Sequence, residues 1–498
     1  MRPHGCARHA HEIHHITSVR HHLRAACRHL GARRLVRLYD VGAAVSLRPY
    51  QNEAIEQLRN AYREGYRAPI LCAPTGSGKT HTAATIIRSA VNRGHTVWFM
   101  AHLREILTAT SAKLTTEGID HSFIMANRQC DPFSQVQVVS VQTAARRLGM
   151  HRKPHLIVID EAHLAVANTY RQVIEDCGNP LLLHLTATPV RLDGRGMREV
   201  ADTIVQTCGT QDLIDMGMLV PIRYFAPSKP DLTGVATIAG DYAQGQLSTA
   251  MNKPKITGNA VDHYRKLAHG RPTVVFCTSV KHAEDTAAMF NGAGYRAVAI
   301  SGSSDQTDRD AALVDLAAGR IDVVVNCQLW VAGVDCPAVS CIILLAPTKS
   351  VTKYLQSVGR GLRLHPGKTD CIVLDHAGNA LQHGLPTEAR EWSLDGVKRN
   401  KRNAEAVEAV KQCERCYFVF KPQAECPNCG HVHVAKPKVV AQTDGELAEI
   451  TAIKREKRQE VGKARTIEDL KRIAEERGYK IGWVYQQLRI KGAKVLGI

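Results

Sequence analysis

Ile70-Leu71-Cys72-Ala73-Pro74-Thr75-Gly76-Ser77-Gly78-Lys79-Thr80 is the stretch that decides the fold. The apolar residues 70–72 read as a buried strand, the glycines as a tight turn, and residues 80–91 as a helix. A glycine-rich turn between a strand and a helix is the context a phosphate-binding loop needs. Backbone N–H groups around Gly76 and Gly78 can cradle phosphates at the helix N-terminus, where the peptide dipoles favour negative charge. In such a loop Thr75, Gly76, Ser77 and Gly78 surround ATP, Lys79 reaches the β- and γ-phosphates, and the Thr80 hydroxyl holds Mg²⁺. Ala73 stands where glycine usually opens the loop, a change the turn tolerates.

Outward from this turn, short apolar runs alternate with helical stretches, which predicts parallel sheets. Residues 96–100, 136–141, 156–159 and 181–186 continue a first strand series. A second runs through 273–277, 297–300, 322–326, 341–345 and 371–374. The expectation is an α/β protein with two tandem parallel-sheet domains, at 47–205 and 206–390. The second opens with a connector that supplies a strand near 222–225. Asp160 and Glu161 directly follow the strand at 156–159, and ligands of parallel sheets bind beyond the C-terminal ends of strands. Asp160 is placed to hold Mg²⁺, and Glu161 to orient and activate the attacking water.

Asp160-Glu161-Ala162-His163, with the loop upstream, resembles the DEAH-type branch of superfamily 2 helicases. These are ATP-driven motors on nucleic acid, built from two RecA-like domains. Further motifs can be matched in order from about residue 47 to residue 365. The resemblance implies that Gln51, in Leu47-Arg48-Pro49-Tyr50-Gln51, contacts adenine. It puts Ala101-His102-Leu103-Arg104-Glu105 and residues 138–143 on the nucleic-acid track. Thr186-Ala187-Thr188-Pro189 is similar to the motif that links hydrolysis to movement, a coupling role shared by His163, Thr186, Thr188 and Gln356. Val274-Val275-Phe276-Cys277-Thr278 resembles the fourth motif. Gly333-Val334-Asp335 resembles the fifth, with Gly333 and Asp335 at the ATP.

Gln356-Ser357-Val358-Gly359-Arg360-Gly361-Leu362-Arg363 is similar to the last motif. Arginines at i and i+3 share a helical face, and guanidinium forks stabilise charge on a transferring phosphoryl group. By family position Arg363 is the arginine finger and Arg360 the γ-phosphate contact. DNA is favoured over RNA because the motif set is closer to DNA-acting relatives than to DEAD-box RNA helicases. Two other classes stay open. One is a duplex translocase or restriction-type motor that moves without separating strands; the other is a non-catalytic nucleic-acid adaptor.

Charge sits in the flanks. Of the net +18, residues 1–46 hold +6, from eight Arg against Glu12 and Asp40, and the chain from Lys398 onward holds +9. Concentration of positive charge in the flanks suggests a polyanionic partner. Residues 1–46 also carry eight of the 24 His, and are expected to be a disordered arm or sequence upstream of the true start. No apolar run reaches the ~18 residues of a membrane span.

Cys413-Glu414-Arg415-Cys416 and Cys426-Pro427-Asn428-Cys429-Gly430 place four of the 15 cysteines at the spacing of a Zn²⁺ site. All four positions would be filled by thiolate, so the expected role is structural, in a zinc ribbon at 412–431; a dithiol redox pair is the alternative. The other cysteines are scattered singly, which with no secretory apolar segment fits a reducing cytoplasm; Glu-Arg-Gly-Tyr-Lys-x-Gly-Trp at 476–483 resembles the tail of bacterial and phage helicase-like proteins, which implies a bacterial or phage-infected cell. Residues 454–498 read as a basic helical segment. Its Tyr479, Trp483 and Tyr485 are either core of a small helical hairpin or a stacking surface for nucleic acid.

Overall fold

The computed structural model describes residues 47–191, 193–226, 230–238, 240–252, 254–327, 336–396, 410–432, and 460, 464, 466–479, 482–485 and 487. The arm at 1–46, Gly333, Asp335 and most of the basic tail lie outside the described residues.

The chain up to His433 is one compact unit, and it contains two parallel sheets. The first, in lobe 1, comprises β1 (Pro69–Cys72), β2 (Val97–Ala101), β3 (Ser122–Ile124), β4 (Val136–Ser140), β5 (Leu156–Asp160), β6 (Leu181–Thr186) and β7 (Thr203–Gln206), in the order β3-β4-β2-β5-β6-β1-β7. The second, in lobe 2, comprises β8 (Ile222–Phe225), β11 (Thr273–Cys277), β12 (Ala297–Ile300), β13 (Val323–Cys327), β14 (Cys341–Leu344) and β15 (Cys371–Asp375), in the order β12-β13-β11-β14-β15-β8. A small hairpin, β9 (Thr237–Ile238) with β10 (Asp241–Tyr242), falls between β8 and β11.

Counted in order of appearance, lobe 2 repeats the first six strands of lobe 1. Residues 222–225 are therefore the opening strand of lobe 2, topologically equivalent to β1. β3 and β7 were not anticipated. β3 is only Ser-Phe-Ile, and β7 is an edge strand whose exposed Gln206 blurs its apolar signal.

Period two assigns the core. In lobe 1, Phe99, Val138 and Val158 pack to one face of the sheet, and Met100, Val139 and Ile159 to the other. In lobe 2, Val274, Ile342 and Val373 face one layer, and Val275, Ile343 and Leu374 the other. Both sheets are buried on both sides, so their strands are nearly continuous in apolar residues.

Beyond residue 433 lies a separate unit. Its helix Ile467–Glu476 starts in a capping box, Thr466 Oγ accepting from Asp469 N–H at 3.1 Å. Leu470, Ile473, Ala474 and Val484 form its small core, and Tyr479 packs on Trp483 with ring centroids 5.0 Å apart. Tyr485 is exposed. No helix among the described residues is long and apolar enough to cross a membrane.

Candidate active site and cysteine centre

The glycine-rich turn hangs off the end of β1. Gly76 and Gly78 have φ of 86° and 83°, a region that side-chain-bearing residues rarely adopt. Gly78 opens the helix Lys79–Val91 with no side-chain cap, leaving the first N–H groups of that helix directed to the loop. Lys79 Nζ donates to the carbonyls of Ala73 (2.8 Å) and Pro74 (3.2 Å). Its pKa is lowered by burial, against the pull of Glu161 and Asp160.

The helix Pro49–Arg63 braces the loop from behind. Tyr50 OH donates to Ser77 O at 2.7 Å, and Gln51 Nε2 to the same oxygen at 3.1 Å. Gln51 Oε1 accepts from Arg48 N–H at 3.0 Å, so both ends of the Gln51 amide are engaged within the protein.

Asp160 and Glu161 sit at the end of β5. Burial and the neighbouring Glu161 push the Asp160 carboxyl up to about 6, and burial also raises Glu161. Glu161 has a left-handed backbone (φ 49°, ψ 52°), unusual for a non-glycine residue. Burial holds His163 at about 4, so it is neutral near pH 7, with Nδ1 3.5 Å from Glu161 Oε2. Thr186 and Thr188 close a local turn: Thr186 Oγ1 donates to Thr188 O at 3.0 Å and accepts from Thr188 N–H at 3.1 Å.

Lobe 2 reaches this cluster through the helix Val351–Gly359; Arg360 is its C-cap and Arg363 lies past its end, so the two arginines do not share a helical face as expected, because the helix stops at Gly359. Gln356 Nε2 donates to Glu161 Oε2 at 2.9 Å, and Thr352 Oγ1 to Val190 O at 3.4 Å. Gly359 presses on the phosphate loop so closely that a Cβ there would stand 2.8 Å from Thr75 Cβ. The Arg360 charge acts on both Lys79 and Glu161. Arg363 Cγ is 3.9 Å from where a Cβ on Gly76 would lie. The structure thus brings Gln51, residues 75–80, Asp160, Glu161, His163, Gln356, Arg360 and Arg363 to one cleft.

The four cysteines form a second centre. Their sulfurs all lie within 4.8 Å of one another, with Cys413–Cys429 and Cys416–Cys426 each at 3.7 Å. Four sulfurs held tetrahedrally 2.3 Å from one metal stand about 3.8 Å apart, so the set fits. Each knuckle ends the same way. Tyr417 (φ 61°) donates its N–H to Cys413 O, and Gly430 (φ 67°) donates to Cys426 O, both at 2.9 Å.

The hairpin of β16 (Lys411–Gln412) and β17 (Val419–Phe420) carries these knuckles onto lobe 2. Phe418 bridges to Phe225 at the end of β8, their rings 5.4 Å apart, and Ala226 N–H donates to Tyr417 O at 3.1 Å. The sequence pattern had marked the ribbon as a separate module; its docking on β8 depends on contacts about 190 residues apart along the chain.

Two parallel-sheet lobes meeting at one phosphate loop and one buried pair of carboxylates define a nucleotide hydrolase of the P-loop class. Residues 44–191 match the family model described as type III restriction enzyme, res subunit, and residues 253–365 the helicase conserved C-terminal domain. A 51.5 kDa protein of Lactococcus phage (isolate 7-9) is 30% identical over 388 residues, covering 77% of this chain and 82% of the phage protein. IRC3 of Saccharomyces cerevisiae, provisionally named an ATP-dependent helicase, is 30% identical over 363 residues; these cover 68% of this chain but 52% of that protein. A fragment structure provisionally assigned as the HsdR subunit of a type I restriction enzyme from Vibrio vulnificus YJ016 shares the fold, with a TM-score of 0.56 at 20% identity. It covers 67% of this chain and 65% of the fragment. The chain belongs to the superfamily 2 helicase-type ATPases, and is a nucleic-acid-dependent ATPase.

Proposed function

We propose that this protein is an ATP-driven motor on DNA, using Mg-ATP hydrolysis to translocate and separate strands. The observation that carries the reading is the Gln356–Glu161 hydrogen bond at 2.9 Å. It ties the hydrolytic carboxylate of lobe 1 to the helix of lobe 2 that ends at Gly359, directly ahead of Arg360 and Arg363. Closure of the lobes then sets the water-activating group and the arginines together, and reopening resets them.

In this reading Glu161 takes the proton of the attacking water, while Arg363 and Arg360 offset charge on the transferring phosphoryl group. Lys79 exchanges the Ala73 and Pro74 carbonyls for phosphate oxygens. Thr80 and Asp160 would hold Mg²⁺. The buried, mutually repelling carboxylates of Asp160 and Glu161 suit a divalent cation, which when bound neutralises phosphate charge. His163, Thr186 and Thr188 pass the state of the cleft to the rest of lobe 1. Cys413, Cys416, Cys426 and Cys429 would hold a structural Zn²⁺. The cytoplasm of a bacterial or phage-infected cell is the proposed location.

ATPase rates with single-stranded DNA, duplex DNA and RNA test the substrate. Strand displacement beside triplex displacement tests separation against duplex translocation. The second reading, a restriction-type translocase that leaves strands paired, draws support from the match of residues 44–191 to the res subunit model. Triplex displacement without strand separation would select it. RNA as the sole stimulant would refute both.

A further inference from the structure

Residues 193–198 follow a few positions after the Thr186–Thr188 turn, and the chain grips them from two sides. On one side, Gly240 in the turn of the β9–β10 hairpin comes so close that a Cβ there would be 2.5 Å from Asp193 Cα. The hairpin is rooted in lobe 2: Asp241 accepts from Thr348 Oγ1 (2.9 Å) and Lys349 N–H (2.8 Å), and pairs with Lys353 Nζ (2.9 Å).

On the other side, residues 390–396 leave lobe 2 and cross to lobe 1. Arg195 and Gly396 form an antiparallel bridge, and Arg198 N–H donates to Leu394 O at 3.1 Å. The Arg198 guanidinium forks onto Asp395 at 2.6 and 3.0 Å. A Cβ on Gly196 would fall 1.8 Å from Leu394 O, although the Gly196 backbone is not in the left-handed region. Glycine is needed at 196 for close approach alone.

Leu394 is buried in one apolar cluster with Ile70 and Cys72 of β1, Ala162, Met197 and Ala201, and Trp392 packs against that cluster. Ala162 immediately follows Glu161. A left-handed backbone at a glutamate is costly and persists only where its surroundings over-determine it. Trp392 and Arg390 also line a cavity of about 50 Å³ beside Pro74, Thr75 and Ala187.

We propose that residues 390–396 are a positioning strap. They hold the Glu161 turn through Ala162, and the 193–198 segment through Gly196, in the geometry that hydrolysis needs, without touching nucleotide. Leu394, Trp392 and Gly196 are positioning residues for the ATPase. The proposal rests on the motor reading above and adds to it a part of the chain beyond the matched helicase models, which end at residue 365.

The test uses the full chain with saturating ATP and single-stranded DNA. Leu394→Ala removes the apolar anchor, and Gly196→Ala pushes the strap away from the opposite side. Both are expected to lower kcat by about 10–100-fold, the range a small misplacement of a catalytic group produces. KM for ATP should move by less than about threefold, since the phosphate loop is intact. Leu394→Met and Trp392→Phe should retain turnover, and the double variant Leu394→Ala/Gly196→Ala should be no slower than the slower single. Unchanged kcat, or losses that multiply in the double variant, would overturn the strap.

Amide exchange at residues 160–164 provides a readout independent of catalysis. It should speed up in Leu394→Ala and Gly196→Ala while β4 stays protected. Unchanged exchange there refutes the strap whatever the rates. A wild-type chain without nucleic-acid-stimulated ATPase removes the motor reading, and the exchange measurement then judges the strap separately.

Discussion

The C-terminal ends of β1 and β8 occupy the same place in two sheets of the same strand order, and they have opposite fates. After β1 come two glycines in the left-handed region and a helix start with no side-chain cap. After β8 the corresponding place is covered by the cysteine ribbon, through Phe225–Phe418 and Ala226–Tyr417. Further along lobe 2, after β11, the helix Val280–Gly292 starts with Ser279, whose Oγ accepts from His282 N–H at 3.1 Å. After β1 the backbone donors are left to a ligand, and after β8 another segment of the chain takes the place. A repeated sheet therefore does not confer a nucleotide site; the few residues after the equivalent strand decide it.

The largest expected effect tests whether lobe 2 nonetheless takes part in catalysis. Arg363→Ala should lower kcat by about 10³–10⁵-fold at saturating ATP, as loss of an arginine finger does. A rate equal to that of Lys281→Ala, an exposed lysine of lobe 2, would reduce Arg363 to a surface charge and leave lobe 2 a bystander. Glu161→Gln should lower hydrolysis by about 10²–10⁴-fold, the contribution of a general base, while a fluorescent ATP analogue still binds. Loss of binding in parallel would move Glu161 from catalysis to nucleotide retention.

Removing the ribbon's metal addresses the closed end of lobe 2. One Zn²⁺ per chain should be found. Chelation or Cys429→Ser should speed amide exchange in β8 well before β1, because Phe418 packs into the lobe 2 core. Equal exchange at both strands would show the ribbon to be an appendage.

Acid should also weaken lobe 2. Burial, with help from the charge of His263, holds His376 down to about 3, whereas an unfolded chain protonates its histidines near 6.5. The folded state binds fewer protons, so stability is lost as pH falls from 6.5 toward 3. His376→Gln should flatten that dependence in lobe 2, and an unaltered pH profile would discount it. The smallest effect is Ser279→Ala, expected to cost about 1 kcal/mol of lobe 2 stability by loss of an N-cap. Urea denaturation measures it, and a change near zero would mean that solvent replaces the hydroxyl.

What could be read in the sequence was what is local. Residues 70–80 and 156–161 each carry strand, turn and chemistry within a dozen positions, and the cysteine spacing is equally self-contained. Arg360 and Arg363 were legible from the short motif they share with Gln356, although the helix ends at Gly359 and Arg363 lies beyond it. β7 was not, since an edge strand of four residues with a polar end has no period to detect. Nor was the use of Gln51 as a brace, which depends on where Ser77 O comes to lie. Trp392 and Leu394 gave a faint signal, two apolar residues in a charged stretch, but their destination on β1 lies more than 300 positions away.

The strap also changes what counts as a part. Pattern matching ends at residue 365, and a cut there or at 390 looks harmless on a domain map. Yet Leu394 fills a notch among Ile70, Cys72, Ala162, Met197 and Ala201. An excised lobe 1 would present that notch to water as a sticky apolar surface. The chain goes from lobe 1 to lobe 2, back to lobe 1 at Gly396, and to lobe 2 again at the ribbon. It is stitched and not strung, so a nick in the loop between β7 and β8 should leave two pieces that still travel together through gel filtration.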